Sequence, residues 1–291
     1  MQINRREFLE RSLAMGAAAA LPLDTFVTNK PIRRATDVIE LGPAKIKVSR
    51  MGVGTGTYGA GQSSNQLRSL GVDGVANLLS AAYDKGIFFW DTADAYGTHE
   101  AVKAALKKVP REKVTILTKT DASTPEKLKD DLDRFRQEAG TEYFDILLLH
   151  ARMNPKWDEV DKASMDVLSE AKQKKIVRSV GISCHSLEAM KVAAKSPWLD
   201  VCLARFNCAG VRMDGSIDEV VPLLAELKAN GKGIIAMKVL GEGTLVETER
   251  VDEALRFMVT KDAAHCFTIG CESRAQVLDN IARIAKAAQP A

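Results

Sequence analysis

The chain has 291 residues, 46% hydrophobic and 27% charged, and its 41 basic and 38 acidic side chains leave a net charge of +3. These proportions are those of a soluble globular protein with room for one large domain or two ordinary ones. No basic stripe interleaved with aromatics points to nucleic acid. The five cysteines (Cys184, Cys202, Cys208, Cys266, Cys271) are odd in number and contain no Cys-x-x-Cys. That argues against a disulfide framework, a zinc knuckle or an iron–sulfur site.

The amino terminus has its own character. In "NRREFLERSLAMGAAAALP" the pair Arg5-Arg6 precedes Phe8-Leu9 and an alanine-rich, weakly apolar stretch ending at Pro22. That stretch is too short for a stable membrane span. The segment resembles a twin-arginine (Tat) export signal, which implies the Tat export machinery as a partner and a periplasmic destination. Ala18-Ala19-Ala20 offers a cleavage site, with a retained tether as the alternative. An amphipathic first helix is the competing reading. Residues 1–36 are read as signal segment and linker, and 37–291 as one domain.

From Val38 the pattern alternates. "VIELGPAKIKVS" reads as a hairpin and "RMGVGTGTY" as the first barrel strand. "AGQSSNQLRSLG" reads as a loop, followed by a helix in "VDGVANLLSAAYDKG" and a strand in "IFFWDTA". Helix–strand pairs follow as "HEAVKAALKKV" with "VTILTKT", "PEKLKDDLDRFRQEAG" with "YFDILLLH", and "VDKASMDVLSEAKQKKI" with "VRSVGIS". The series continues with "LEAMKVAAK" and "LDVCLARFN", "IDEVVPLLAELKANG" and "GIIAMKVL", then "VDEALRFMVTKD" and "CFTIG", before a last helix in "RAQVLDNIARIAKAA". Apolar spacing of three and four marks the helices, and continuous β-branched runs mark buried parallel strands. Eight strands, each followed by a helix, give the size and order of a (β/α)8 TIM barrel with an N-terminal β-hairpin.

"GTGTYG" also matches the dinucleotide fingerprint Gly-x-Gly-x-x-Gly, but that motif needs a helix N-terminus at the pyrophosphate. Here a loop follows, and the chain contains no Tyr-x-x-x-Lys pair. The match is read as chance.

The active site of such a barrel lies where strands end. Asp91 ends the second barrel strand, with Tyr96 in the loop after it. Lys119 ends the third and His150 the fourth. Each alone reads equally as a capping acid, a solvated strand end or a satisfied core histidine. Together they form an arrangement for proton donation by Tyr96, in which Asp91 keeps Lys119 charged and Lys119 lowers the tyrosine's pKa from its ordinary value near 10. Trp90, by strand alternation, should face the helices.

From Val38 to about residue 287 the chain resembles an aldo-keto reductase, through "GVGTGTYG", "DTADAYGTHE", "LTKT", "LLLH" and "VRSVGIS". The resemblance places the family's catalytic tetrad on Asp91, Tyr96, Lys119 and His150. It implies hydride transfer from a nicotinamide cofactor to a small aldehyde or ketone, or the reverse from the alcohol, with Tyr96 protonating oxygen and His150 orienting the carbonyl. It further implies cofactor contacts by Gly56 and Thr57, by Ser183 at the carboxamide, and by Asn207. Cys184 and Leu203 replace a usual Asn and Gln, and Met237 stands where an aromatic often stacks. Lys238 and Gly241, in "MKVLGEG", are matched to pyrophosphate contacts. Gly270, Ser273, Gln276 and Asn280 fit the adenosine-phosphate region. Glu272 occupies a place where Arg is common, leaving Arg274 as the candidate for a 2′-phosphate. NADP(H) is the expected cofactor, with NAD(H) as the alternative.

His99 is read as solvated and His185 as a residue that could line the pocket. No group of His, Cys and carboxylates has metal-ligand spacing. Two other classes compete: a non-catalytic dinucleotide-binding or sensor protein on the same barrel, motivated by Cys184, Leu203 and Met237, and an unrelated barrel hydrolase or lyase.

Overall fold

The computed structural model describes residues 33–288, so the Tat-like segment lies outside the described residues. The chain first makes an antiparallel hairpin, β1 (Val38–Leu41) and β2 (Ile46–Ser49), turning at Gly42 with φ +64°. Eight strands then pair in parallel: β3 (Met51–Gly54), β4 (Phe89–Asp91), β5 (Thr115–Thr120), β6 (Phe144–Arg152), β7 (Val177–Cys184), β8 (Val201–Arg205), β9 (Gly233–Met237) and β10 (Cys266–Gly270). They follow chain order around a closed barrel, which β10 shuts by pairing with β3 from Phe267↔Met51 to Gly270↔Gly54. The TIM barrel with its N-terminal hairpin is as expected, and barrel closure removes the open-sheet crevice that a Rossmann reading of "GTGTYG" would need.

The helices are α1 (Asn65–Tyr83), α2 (His99–Leu106), α3 (Pro125–Ala139), a single turn α4 (Trp157–Val160), α5 (Lys162–Gln173), α6 (Leu187–Lys195), α7 (Ile217–Ala229), α8 (Thr248–Lys261) and α9 (Arg274–Ala287). Local chemistry sets their starts. The hydroxyls of Ser64, Thr124, Ser186 and Ser273 each accept from a backbone N–H in the first turn, and Ser216 with Glu219 forms a reciprocal capping box. α1 is a correction: it begins at Asn65, inside the stretch read as a loop, and is broken at Gly71, where φ is +66° and ψ 179°. That break interrupts the apolar periodicity, so only the second half looks helical in sequence.

Strand alternation divides the core in two. Phe89, Leu117, Ile146, Leu148, Leu203 and Ile235 fill the lumen, whereas Trp90 packs outward among helical side chains, as expected. The hairpin adds Leu41, Ile46 and Val48 to the lumen cluster. Its polar contacts go to the starts of strands: Thr115 Oγ1 donates to the Lys47 carbonyl, and Ser49 Oγ accepts from the Phe88 and Phe89 amides. The hairpin therefore plugs the N-terminal end of the barrel and leaves the opposite mouth open for a site.

Candidate active site

At that mouth the ends of β4, β5 and β6 bring the four expected residues together. Lys119, from β5, is wholly buried, which disposes of a solvated strand end. Its Nζ donates to Asp91 Oδ1, to the Thr92 carbonyl at 2.9 Å and to the Tyr96 hydroxyl at 3.3 Å. His150 meets the Tyr96 ring edge-on with centroids 5.8 Å apart, and its Nδ1 lies 3.1 Å from Asp121 Oδ2. Directly after it Ala151 takes φ +54°, and the β6–β7 register shifts between Leu149 and Arg152. A non-glycine residue in this region is uncommon, and such outliers cluster at functional sites.

Every polar residue of the loop that carries Tyr96 is engaged. Thr98 Oγ1 lies 2.6 Å from Thr92 Oγ1 and 2.8 Å from Thr55 Oγ1, so three hydroxyls pin the loop to the neighbouring strand ends. Asp94 takes both guanidinium nitrogens of Arg134, each at 2.9 Å, and the Gln62 amide at 2.7 Å. His99 is a correction: it is buried, with Nε2 at 2.7 Å from Thr118 Oγ1 and Nδ1 at 3.0 Å from Glu138 Oε2. Asp94, His99 and Glu138 lie close enough to hold a cation, but the Arg134 guanidinium already binds both carboxylates. The Tyr96 ring itself fills space that two glycines leave. A Cβ on Gly56 or Gly59 would come within 2.2 Å or 2.3 Å of it.

Protonation differs from the simple expectation. Burial pushes the Tyr96 phenol above its ordinary value; the Lys119 charge pulls it down but does not prevail. The anticipated lowering is therefore overturned by desolvation. Lys119 goes the other way: burial works against its charge, yet Asp91 and Tyr96 more than compensate and raise it. Asp91 thus holds a buried ammonium in its charged form, as anticipated. His185 has its ring centroid 6.3 Å from that of His150. Burial, with the positive Arg205 and Lys238 nearby, takes its imidazole down to about 3, so it is neutral.

A cavity of about 510 Å³ runs from Asp91 and Tyr96 along the ends of β9, β10 and β3, within the usual range for small-molecule sites. Of the expected cofactor residues, Gly56, Thr57, Met237, Lys238, Gly270, Gln276 and Asn280 line it. Others serve the fold. Asn207 bonds to Val211, Ala209 and the Lys238 carbonyl, and Gly241 supplies a turn with φ +58°. Ser273 caps α9. Arg274 is exposed, whereas Glu272 lines the cavity and accepts from Asn65 Nδ2 at 3.1 Å. Lys238 pairs with Glu242 at 3.1 Å. Ser183 is not among the residues lining the cavity, but its Oγ is buried without a partner among the described residues. A buried hydroxyl ordinarily has one, so it is free for a ligand amide, and the residues present fit a nicotinamide dinucleotide.

The model of the aldo/keto reductase family matches residues 50–289. D-threo-aldose 1-dehydrogenase of Pseudomonas sp is 25% identical over 228 residues, covering 66% of this chain and 67% of that protein. NADH-specific methylglyoxal reductase of Escherichia coli (strain K12) is 26% identical over 235 residues, 72% of this chain and 69% of that one. Among solved structures, the holo form of an aldo-keto reductase from Bacillus halodurans superposes with a TM-score of 0.69 at 18% identity, over 86% of this chain and 91% of that one. A Bombyx mori aldo-keto reductase in complex with NADP gives 0.64 at 17% identity, over 87% and 92%. At such identities the structures speak for the fold alone. The match over most of the chain is decisive: the protein belongs to the aldo/keto reductase family and is an NAD(P)-dependent oxidoreductase.

Proposed function

We propose that the chain reduces small aldehydes or ketones to alcohols, or runs the reverse, with Tyr96 as the proton donor. The observation that carries this is the wholly buried Lys119, bonded at once to Asp91 and to the Tyr96 hydroxyl. A reduced nicotinamide, when bound, supplies the hydride. Tyr96 gives its proton to the carbonyl oxygen, and the Lys119 ammonium offsets the phenolate charge that develops. His150, beside the same ring, orients the carbonyl. A phenol raised by burial stays protonated at neutral pH, the state that reduction requires; oxidation needs the phenolate and is favoured by alkaline conditions. The relatives named for methylglyoxal and D-threo-aldoses support small carbonyl compounds and sugars as first substrates to try.

The cofactor end of the cavity favours NADH. Glu272, held by Asn65, is in the wall, and Arg274 is not among the residues lining it. A carboxylate accepts hydrogen bonds from a free ribose hydroxyl and repels a 2′-phosphate. The twin-arginine segment supports export, with folding and cofactor loading before passage to the periplasm.

The test is Tyr96→Phe, assayed with methylglyoxal and with aldoses while cofactor binding is titrated by fluorescence. Loss of proton donation should lower kcat by about 10²–10⁴-fold with cofactor affinity nearly unchanged. Turnover within about twofold of wild type would remove Tyr96 from the reaction.

A further inference from the structure

We propose that Arg134, on the outer helix α3, is a positioning residue that sets the Tyr96 hydroxyl against Lys119. The inference rests on Tyr96 being the proton donor. Its basis is a closed circuit of contacts. On β5, Thr118 and Thr120 flank Lys119 and point outward while Lys119 points into the lumen. Thr120 Oγ1 donates to Asp131 Oδ2 at 3.1 Å, and Thr118 Oγ1 meets His99, which meets Glu138. Asp131 and Glu138 are both on α3, and Arg134 between them bonds to each, at 2.7 Å and 3.0 Å. The same guanidinium grips Asp94 in bidentate fashion, two residues before Tyr96. The circuit closes where the Lys119 ammonium reaches the Tyr96 hydroxyl.

One planar cation thus fixes the relation between the strand that carries Lys119 and the loop that carries Tyr96. A bidentate guanidinium–carboxylate pair specifies orientation as well as distance. Lys127 also reaches Asp131, and Gln62 also reaches Asp94, but among the described residues neither bridges the two. Without Arg134, Asp94 faces Glu138 across His99 with no guanidinium between them. The charged and titratable groups that face Tyr96 directly are Lys119, Asp91, Asp121 and His150. Arg134 acts through the loop and not on the phenol.

The experiment compares Arg134→Met, Arg134→Lys, Asp94→Asn and the double variant Arg134→Met/Asp94→Asn with wild type and Tyr96→Phe. The readouts are kcat, cofactor affinity, the pH profile of kcat and thermal unfolding. A misplacement of about 1 Å can cost on the order of 10²-fold, so Arg134→Met should lose about that much in kcat while still binding cofactor. The limb due to Tyr96 should move to higher pH as Lys119 and the phenol separate. Arg134→Lys should recover part of the rate, and the double variant should be no slower than the slower single one. A folded Arg134→Met with kcat within about twofold and an unmoved limb overturns the proposal, as does an additive loss in the double variant. Should Arg134→Met fail to fold, Asp94→Asn, which is nearly isosteric, decides on the same criteria. If Tyr96→Phe is itself active, the proton-donor reading fails; if it is dead while Arg134→Met is normal, only the clamp does.

Discussion

Gly56 and Tyr96 fit together because Gly56 has no side chain: a Cβ there would sit 2.2 Å from Cε2 of the phenol. "GTGTYG", which looks like a phosphate-binding loop, uses Gly56 and Gly59 as the floor of a slot for an aromatic ring. The loop after β3 therefore shapes the slot for the Tyr96 ring as well as the cavity wall.

Gly56→Ala should push the ring off the Lys119 ammonium. The ring sits on a loop pinned through Thr92, Thr98 and Asp94 and is met by Lys119 and His150, so small relaxations should not absorb the clash. A fall in kcat of about 10²-fold is expected, and adding Gly56→Ala to Tyr96→Phe should lower the rate little further. Steady-state kinetics on the four proteins check this; a full-rate Gly56→Ala enzyme would mean the ring has room that the packing denies.

Lys119→Met should abolish turnover and move the Tyr96 limb of the pH–rate profile upward, since the one strong influence lowering that phenol is removed. It also leaves Asp91 buried without its cation, which costs about 3–5 kcal/mol of stability. The pH dependence has a definite sign. Lys119 is raised on folding, so its contribution is fully present below the unfolded lysine value of about 10.4 and is lost as pH rises through the folded one. The buried phenol, also raised, acts in the same direction. Denaturant unfolding at increasing alkaline pH should show wild-type stability falling and a shallower fall in Lys119→Met. A parallel fall would exclude Lys119 as the source.

The barrel was legible because each strand is a short continuous apolar run and each helix a longer periodic one, and strand ends then locate Asp91, Lys119 and His150. Tyr96 was legible from its motif. What escaped depends on partners distant in sequence. His99 stands three residues before Val102 and six before Ala105, on the buried stripe of α2, so that spacing could have marked it as interior. Asp131 interrupts the apolar stripe of α3 between Leu128 and Leu132 and was likewise a visible sign of a buried polar contact. Nothing in the sequence connects Arg134 to Asp94, 40 residues earlier. The direction of the Tyr96 shift also needed the structure, because two opposing effects decide it and only burial depth says which prevails.

For localisation, if the proposed export signal operates, Arg5-Arg6→Lys-Lys should leave the enzyme active in the cytoplasm and absent from the periplasm, because such signals are read by a receptor through the arginine pair. Cell fractionation with an activity assay checks both halves. Wild-type protein retained in the cytoplasm with its first residues intact would overturn the export proposal.

The proposed preference for NADH rests on the far end of the cavity. Glu272 is oriented by Asn65, which is itself held by Arg68, and Asp279 lines the same region. A 2′-phosphate brought there meets carboxylates, while Arg274 stands exposed on the first turn of α9. NADH should therefore bind more tightly than NADPH, by about 1–3 kcal/mol if Glu272 accepts a ribose hydroxyl as a charged partner. Glu272→Gln keeps the shape and removes the charge, so it should weaken NADH and improve NADPH, narrowing or inverting the gap. Arg274→Ala should alter neither. Dissociation constants for both cofactors on the three proteins decide the matter. A wild-type preference for NADPH that disappears in Arg274→Ala would show that the exposed arginine reaches the phosphate after all, and that Glu272 does not govern the site.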